Sequence, residues 1–204
     1  MLIVTQYKTW TFVVCFCLLL FLSGCARNYV LKYQDTDLSS SFIEPLPLKI
    51  GVYYPDEFRT YSYTFPRNYG HVFHIGESSV ALFNKLLNKM FENVVEVDGI
   101  KSTGVLQEDL DAIIEFSVRL ASFSFGRRPT KDELMISYRS DLYTPSGKLL
   151  TSWVTDASGT VLRRGLVWNR ARLAMENAFI SAEKNFVVNS RIELARHPGL
   201  FFRQ

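Results

Sequence analysis

Two histidines three positions apart, His71 and His74, have metal-pair spacing if they stand on a helix, where i and i+3 share a face. On a strand they would point to opposite sides. Gly70 and Gly76 bracket them and no carboxylate follows before Glu77, so they read as ordinary loop histidines. The acidic runs Gln107-Glu108-Asp109-Leu110-Asp111 and Lys131-Asp132-Glu133 contain enough carboxylates for acid–base work, yet both read as solvated loops. Neither a Gly-rich phosphate cradle nor a Gly-x-Ser-x-Gly elbow occurs. Gly126-Arg127-Arg128-Pro129 is a basic turn that would suit anionic headgroups, although such turns also serve solubility alone. No catalytic residue, metal or cofactor is expected, and the chain reads as a non-enzymatic protein.

The remaining reactive group is the thiol of Cys25. It follows Leu22-Ser23-Gly24, an aliphatic residue and two small ones, at the end of an uncharged apolar run from Trp10 to Leu22. Lys8 supplies positive charge ahead of that run. The apolar stretch falls short of the roughly 20 residues a permanent spanning helix needs, so an export signal over residues 1–24 is preferred to an uncleaved anchor. Leu22, Ser23, Gly24 and Cys25 together resemble the bacterial lipobox. The small pair allows a peptidase to bind extended backbone, and the cysteine sulfur takes a diacylglycerol. Its freed amine can take a further acyl chain, which makes membrane anchoring stable where one chain would be marginal. Ala26, rather than Asp, follows the cysteine; by resemblance to enterobacterial sorting this points to the outer membrane's inner leaflet, facing the periplasm, over the inner membrane.

Cys15 and Cys17 leave with the signal and Cys25 carries lipid, so the mature domain is expected to have no disulfide. Its stability must come from an ordinary core, for which residues 48–204 suffice as a single domain. The net charge of +3 falls by one with Lys8, and the remaining Lys and Arg are scattered, which argues against nucleic acid.

The elements follow from periodicity. Residues 25–47 read as the lipidated cysteine and a polar tether ending in Pro45-Leu46-Pro47. Leu48 to Tyr54 is a nearly continuous apolar run, as expected of a central strand. Asp56 to Ile75 carries Phe58, Tyr61, Tyr63, Phe65, Tyr69 and Phe73; the alternation of Tyr61, Tyr63 and Phe65 predicts a strand. Those aromatics either complete a core or form an exposed patch that binds a partner, and Phe58, Tyr61, Tyr63, Phe65 and Tyr69 are the candidate partner surface. The Phe201-Phe202 tail carries the same ambiguity.

Val80, Phe83, Leu87 and Met90 predict a helix over 77–91, with Ser78 as N-cap or first-turn residue and Lys85, Asn88 and Lys89 on its solvated side. Val94 to Val97 is a short strand. Ile114, Phe116, Val118 and Leu120 alternate against Glu115, Ser117 and Arg119, and Leu134, Ile136, Tyr138 and Leu142 repeat the pattern. With a turn at Thr144-Pro145-Ser146-Gly147 and a third strand from Leu149 to Ala157, these make an antiparallel meander. Residues 169–191 predict a helix with Ala171, Ala174, Ala178, Ala182 and Phe186 along one side, small enough to lie close on a sheet. The expected fold is α+β: a mixed or antiparallel sheet with two main helices packed on one face.

The pieces Lys49–Tyr54, Ser78–Val97, Ala112–Phe125, Leu142–Val154 and the helix through Phe186, behind a lipobox, resemble auxiliary lipoproteins of ABC-type transport systems. The layout is similar to the Tol-system N-terminal domain and the curli-secretion lipoprotein. The resemblance covers most of residues 48–190 and implies an accessory or assembly component of an envelope transport or secretion machine, with an envelope protein complex as partner. The aromatic insertion at 56–75 departs from that layout. The alternative function is a periplasmic carrier binding a lipid or other amphiphile between sheet and helices.

Overall fold

The computed structural model describes residues 27–29, 44–65, 71–101, 109–125, 131–162 and 170–200. In chain order they form β1 (Arg27–Tyr29), β2 (Leu46–Tyr53), a four-residue helix α1 (Asp56–Arg59), β3 (Tyr63–Thr64) and β4 (His71–Phe73). The first long helix, α2 (Ile75–Met90), leads into β5 (Phe91–Glu96), β6 (Ala112–Phe125), β7 (Lys131–Tyr143) and β8 (Leu149–Leu162). The second long helix, α3 (Arg170–Ala195), and a 3-10 turn at Pro198–Leu200 follow.

The fold is α+β. Its main sheet has five strands in the order β5-β2-β6-β7-β8. β2 runs parallel to both neighbours, while β6, β7 and β8 form the expected antiparallel meander. β2 is internal, and its apolar run has a cause on each face. Leu48, Ile50, Val52 and Tyr54 enter the main core, and Gly51 on the reverse side faces Leu110, Ile113 and Val97. Asp111 is not a free solvated acid: it accepts the Lys49 amide N–H at 2.8 Å and returns its own N–H to the Lys49 carbonyl at 2.9 Å, stitching β6 onto β2.

The alternation read along β6 holds only as far as Val118. Val118 pairs with Tyr138 but Leu120 pairs with Ser137, so Arg119 is one residue too many: a β-bulge. The bulge reverses the phase of the strand. Leu120, expected inside, is 56% exposed, and Ala121 and Phe123 take the inward places. Lys131-Asp132-Glu133 is also not a solvated loop. It opens β7, and Asp132 is fully buried with the Arg170 Nε 3.5 Å away, linking the first residues of β7 and α3.

α2 starts two residues earlier than periodicity predicts. His74 is the N-cap residue, and Ser78 sits in the first turn with its hydroxyl donating to the His74 carbonyl at 3.0 Å. Leu82, Phe83, Leu86, Leu87 and Met90 form the buried stripe.

α3 lies against β8 at very short range. A Cβ on Gly159 would stand 1.9 Å from the Ala174 carbonyl oxygen and 2.3 Å from the Ala178 nitrogen, so only glycine fits beneath the Ala171, Ala174, Ala178 and Ala182 stripe. Alongside that contact, every fourth residue of α3 serves the open edge of β8. The amides of Asn177, Asn185 and Asn189 donate to the carbonyls of Thr160, Asp156 and Val154 at 3.0, 2.7 and 3.0 Å. The Ser158 N–H donates to the Ser181 hydroxyl at 3.4 Å. Four helix residues rise about 6.0 Å and two strand residues about 6.6 Å, so the two repeats stay nearly in step over this length. The last edge strand of the sheet is thereby closed by side chains.

Candidate functional site

The aromatic segment is largely interior. Phe58, on α1, is 2% exposed and stacks among Tyr54, Phe83 and Phe116; Phe65 is 8% exposed and meets Phe123 edge-on at 5.8 Å. Neither can be part of a partner surface. The predicted strand through 61–65 is mostly absent because Asp56–Arg59 coils into α1, and only Tyr63–Thr64 pairs with β4. Tyr61 and Tyr63 are half-buried, packed against the core, and burial pushes the Tyr61 phenol above its usual range. The Gly76 N–H donates to the Tyr61 carbonyl at 2.9 Å, and a Cβ on Gly76 would stand 2.0 Å from the Phe58 carbonyl. The segment is therefore clamped to the first turn of α2. Tyr69 lies outside the described residues, as do Leu22, Ser23, Gly24, Cys25, the Arg127-Arg128 turn and Phe201-Phe202.

The space between sheet and helices is filled by rings. Phe83 stacks on Phe116 at 4.3 Å and meets Tyr138 and Phe186 edge-on at 5.2 and 5.0 Å. Polar groups inside this layer are engaged or buried with it: the Tyr138 hydroxyl shares a 2.9 Å hydrogen bond with Ser79, and Tyr54 donates to Asn84 at 2.8 Å. Burial drives both phenols strongly upward, so they remain neutral donors.

His71 belongs to β4 and His74 is the N-cap residue of α2, its Nδ1 3.2 Å from the Ser62 hydroxyl, so neither lies in a loop. Among the described residues no cluster of His, Cys, Asp and Glu could hold a metal.

Chemistry gathers instead on the reverse face of the meander, which the sequence did not single out. Glu115 stands directly across from Asp141, and the two carboxylates escape repulsion through separate partners. Tyr143 donates to Glu115 at 3.0 Å; Arg139 Nε donates to Asp141 at 2.9 Å, and the Ser152 hydroxyl also donates to Asp141. Burial first, then the hydrogen bond and charge of Glu115, push the Tyr143 phenol up to about 12. This network gives each carboxylate its own hydrogen-bond donors. Beyond it, where the bulge turns Leu120 outward, a shallow groove of about 460 Å³ lies between Arg119, Leu120, Met135, Ser137 and Asp156, with Ser181 and Asn185 of α3 at its rim. The signal for this face was present but cryptic: it required the phase shift at Arg119.

No family model matches the chain, and no curated protein matches it. Several solved structures align with the chain. Protein XCC0632 from Xanthomonas campestris, of family DUF330, aligns with a TM-score of 0.51 at 9% identity, over 76% of this chain and 91% of that one. A minor lipoprotein from Acinetobacter baumannii aligns at 0.43 and 9% identity, over 75% and 96% of the two chains. Lipoprotein GNA1162 from Neisseria meningitidis aligns at 0.32 and 16% identity, over 70% and 99%. The likeness to the Xanthomonas protein shows a common fold.

Proposed function

We propose that this chain is the precursor of a lipid-anchored envelope lipoprotein that works by binding, as an accessory or assembly component of a transport or secretion machine. The observation that carries the anchor is Leu22-Ser23-Gly24-Cys25 at the end of a short uncharged apolar run. Among the described residues no helix is long and apolar enough to cross a membrane. Ala26 directs the protein to the inner leaflet of the outer membrane. The reading takes both long helices to cover the same face of the sheet, since their buried residues fall in one core cluster with Ile50, Ile114 and Tyr138. That leaves the reverse face of the meander for a partner, with Leu120 and Met135 as apolar contacts beside the Arg139–Asp141–Tyr143 network. Aromatic packing between sheet and helices occupies the place where an amphiphile carrier would hold its cargo, which favours the interaction reading over the carrier.

Cross-linking with mass spectrometry in intact cells tests it. The wild type should capture a defined envelope complex, and Leu120→Asp/Met135→Asp should lose that capture while keeping its circular dichroism. Capture of the complex undiminished by the double variant would move the contact elsewhere. Recovery of the chain alone, with a co-purifying amphiphile, would favour the carrier.

A further inference from the structure

Residues 27–29 fall within the stretch read from sequence as a tether, yet they form β1 and pair in parallel with β4: Arg27 with His71, Asn28 with Val72 and Tyr29 with Phe73. β4 in turn pairs antiparallel with β3, giving a three-stranded sheet in the order β1-β4-β3. The small sheet is tied to the body of the domain through Phe73, which is fully buried and lies 5.1 Å from Phe123. Cys25 precedes Arg27 by two residues, and that much chain spans at most about 7 Å. Whatever path residues 30–43 take, they come after β1 and cannot separate the lipid from this sheet.

From this we infer that the domain does not hang from a long spacer: its β1-β4-β3 end rests on the headgroup region of the bilayer that holds the Cys25 lipid. The inference rests on the anchored reading above and adds its geometry. The residues at that end suit the location. Tyr61 and Tyr63, beside and within β3, are partly buried against the core, and tyrosines, apolar in body and polar at the tip, settle at the headgroup level of membranes. Ser62 and Thr64 between and after them are exposed and uncharged. Asp56 and Glu57 on the adjoining α1 are exposed acids, so a zwitterionic surface fits better than a strongly anionic one. The Thr144–Gly147 turn lies at the other end: Leu134, the partner of Phe123, is nine residues of β7 from Tyr143, roughly 30 Å of strand.

The mature chain has no second cysteine, so a single introduced thiol can be labelled cleanly. The acylated full-length protein would be purified from membranes and reconstituted in phosphatidylethanolamine–phosphatidylcholine vesicles containing headgroup-spin-labelled lipid. A fluorophore at Ser62→Cys or Thr64→Cys should be quenched several-fold more than one at Ser146→Cys. Ten Gly/Ser residues inserted between Cys25 and Arg27 should remove most of that difference. Equal, weak quenching at all three positions in protein whose Cys25 is shown by mass spectrometry to be acylated would overturn the inference alone. Unmodified Cys25 in the purified protein would overturn both it and the anchored reading. Labels at exposed positions leave the core intact, so the outcome does not depend on a destabilising variant.

Discussion

Helix α2 turns Leu82, Phe83, Leu86, Leu87 and Met90 into the core, whereas α3 turns in four alanines with Met175, Phe179, Phe186 and Leu194 and keeps Glu183 and Ser190 buried among them. The first helix fills space; the second removes it, closing to backbone contact at Gly159 and spending its flanking amides on the edge of β8. An apolar stripe stabilises by area taken out of water and tolerates small shifts in position. A close-packed small-residue contact stabilises only at one separation, and its hydrogen bonds hold the helix at that separation. α2 thus acts mainly through buried area, while α3 adds to its own buried residues the contact that determines where the sheet ends.

The largest effect is expected on the α2 side. Phe83→Ala removes the ring at the centre of the stack with Phe116, Tyr138 and Phe186 and should lower stability by about 4 kcal/mol in urea unfolding. A loss under about 1 kcal/mol would mean the core is far looser than its ring geometry implies. Next comes the α3 contact: Gly159→Val forces the helix off β8 and should cost about 3 kcal/mol, although it adds apolar volume. Were this variant neutral, α3 would be free to move and the contrast between the helices would collapse.

Asn185→Ala should cost about 1 kcal/mol, the size of one hydrogen bond. The triple change of Asn177, Asn185 and Asn189 to Ala should add a second signature, association through a newly opened β8 edge in concentration-dependent light scattering. A stable, monomeric triple variant would show that the amides are incidental.

Alkaline pH probes the reverse face. The Tyr143 phenol is raised from 10.0 to about 12, so between those values the folded state retains a proton the unfolded state has lost. Its contribution is complete below pH 10 and disappears as pH rises through 12. Tyr143→Phe should flatten that part of the stability–pH curve, with the buried Tyr54 and Tyr138 still supplying a decline. The smallest effect is expected at Met135→Ser, which lies exposed beside Leu120 and should change stability by less than about 0.5 kcal/mol.

These regions differed in how readily they could be read. α2 was legible because a bulky stripe at helical spacing leaves a direct mark, and the meander because its strands alternate and its turn at Thr144–Gly147 uses Pro and Gly. The alanine stripe of α3 announced a close contact but not its partner; Gly159 was the missing half. The Asn177, Asn185 and Asn189 ladder looks like an ordinary polar face until β8 is placed beside it. The aromatic segment left two readings open for a related reason. Aromatic alternation over Tyr61, Tyr63 and Phe65 is compatible with an exposed strand or an inward-folded one, and α1 turned Phe58 and Phe65 inward.

The amino-acid order by itself determined the types of the long elements, the internal position of β2, the pairing of the meander and the cysteine set apart behind an apolar run. Those depend on periodicity and on local chemistry, which neighbouring residues carry between them. Tertiary structure alone decided the bulge at Arg119, the burial of Asp132 beside Arg170, the closure of the β8 edge and the pairing of β1 with β4. Each joins residues far apart in the chain, where no local period records which side chain another will meet.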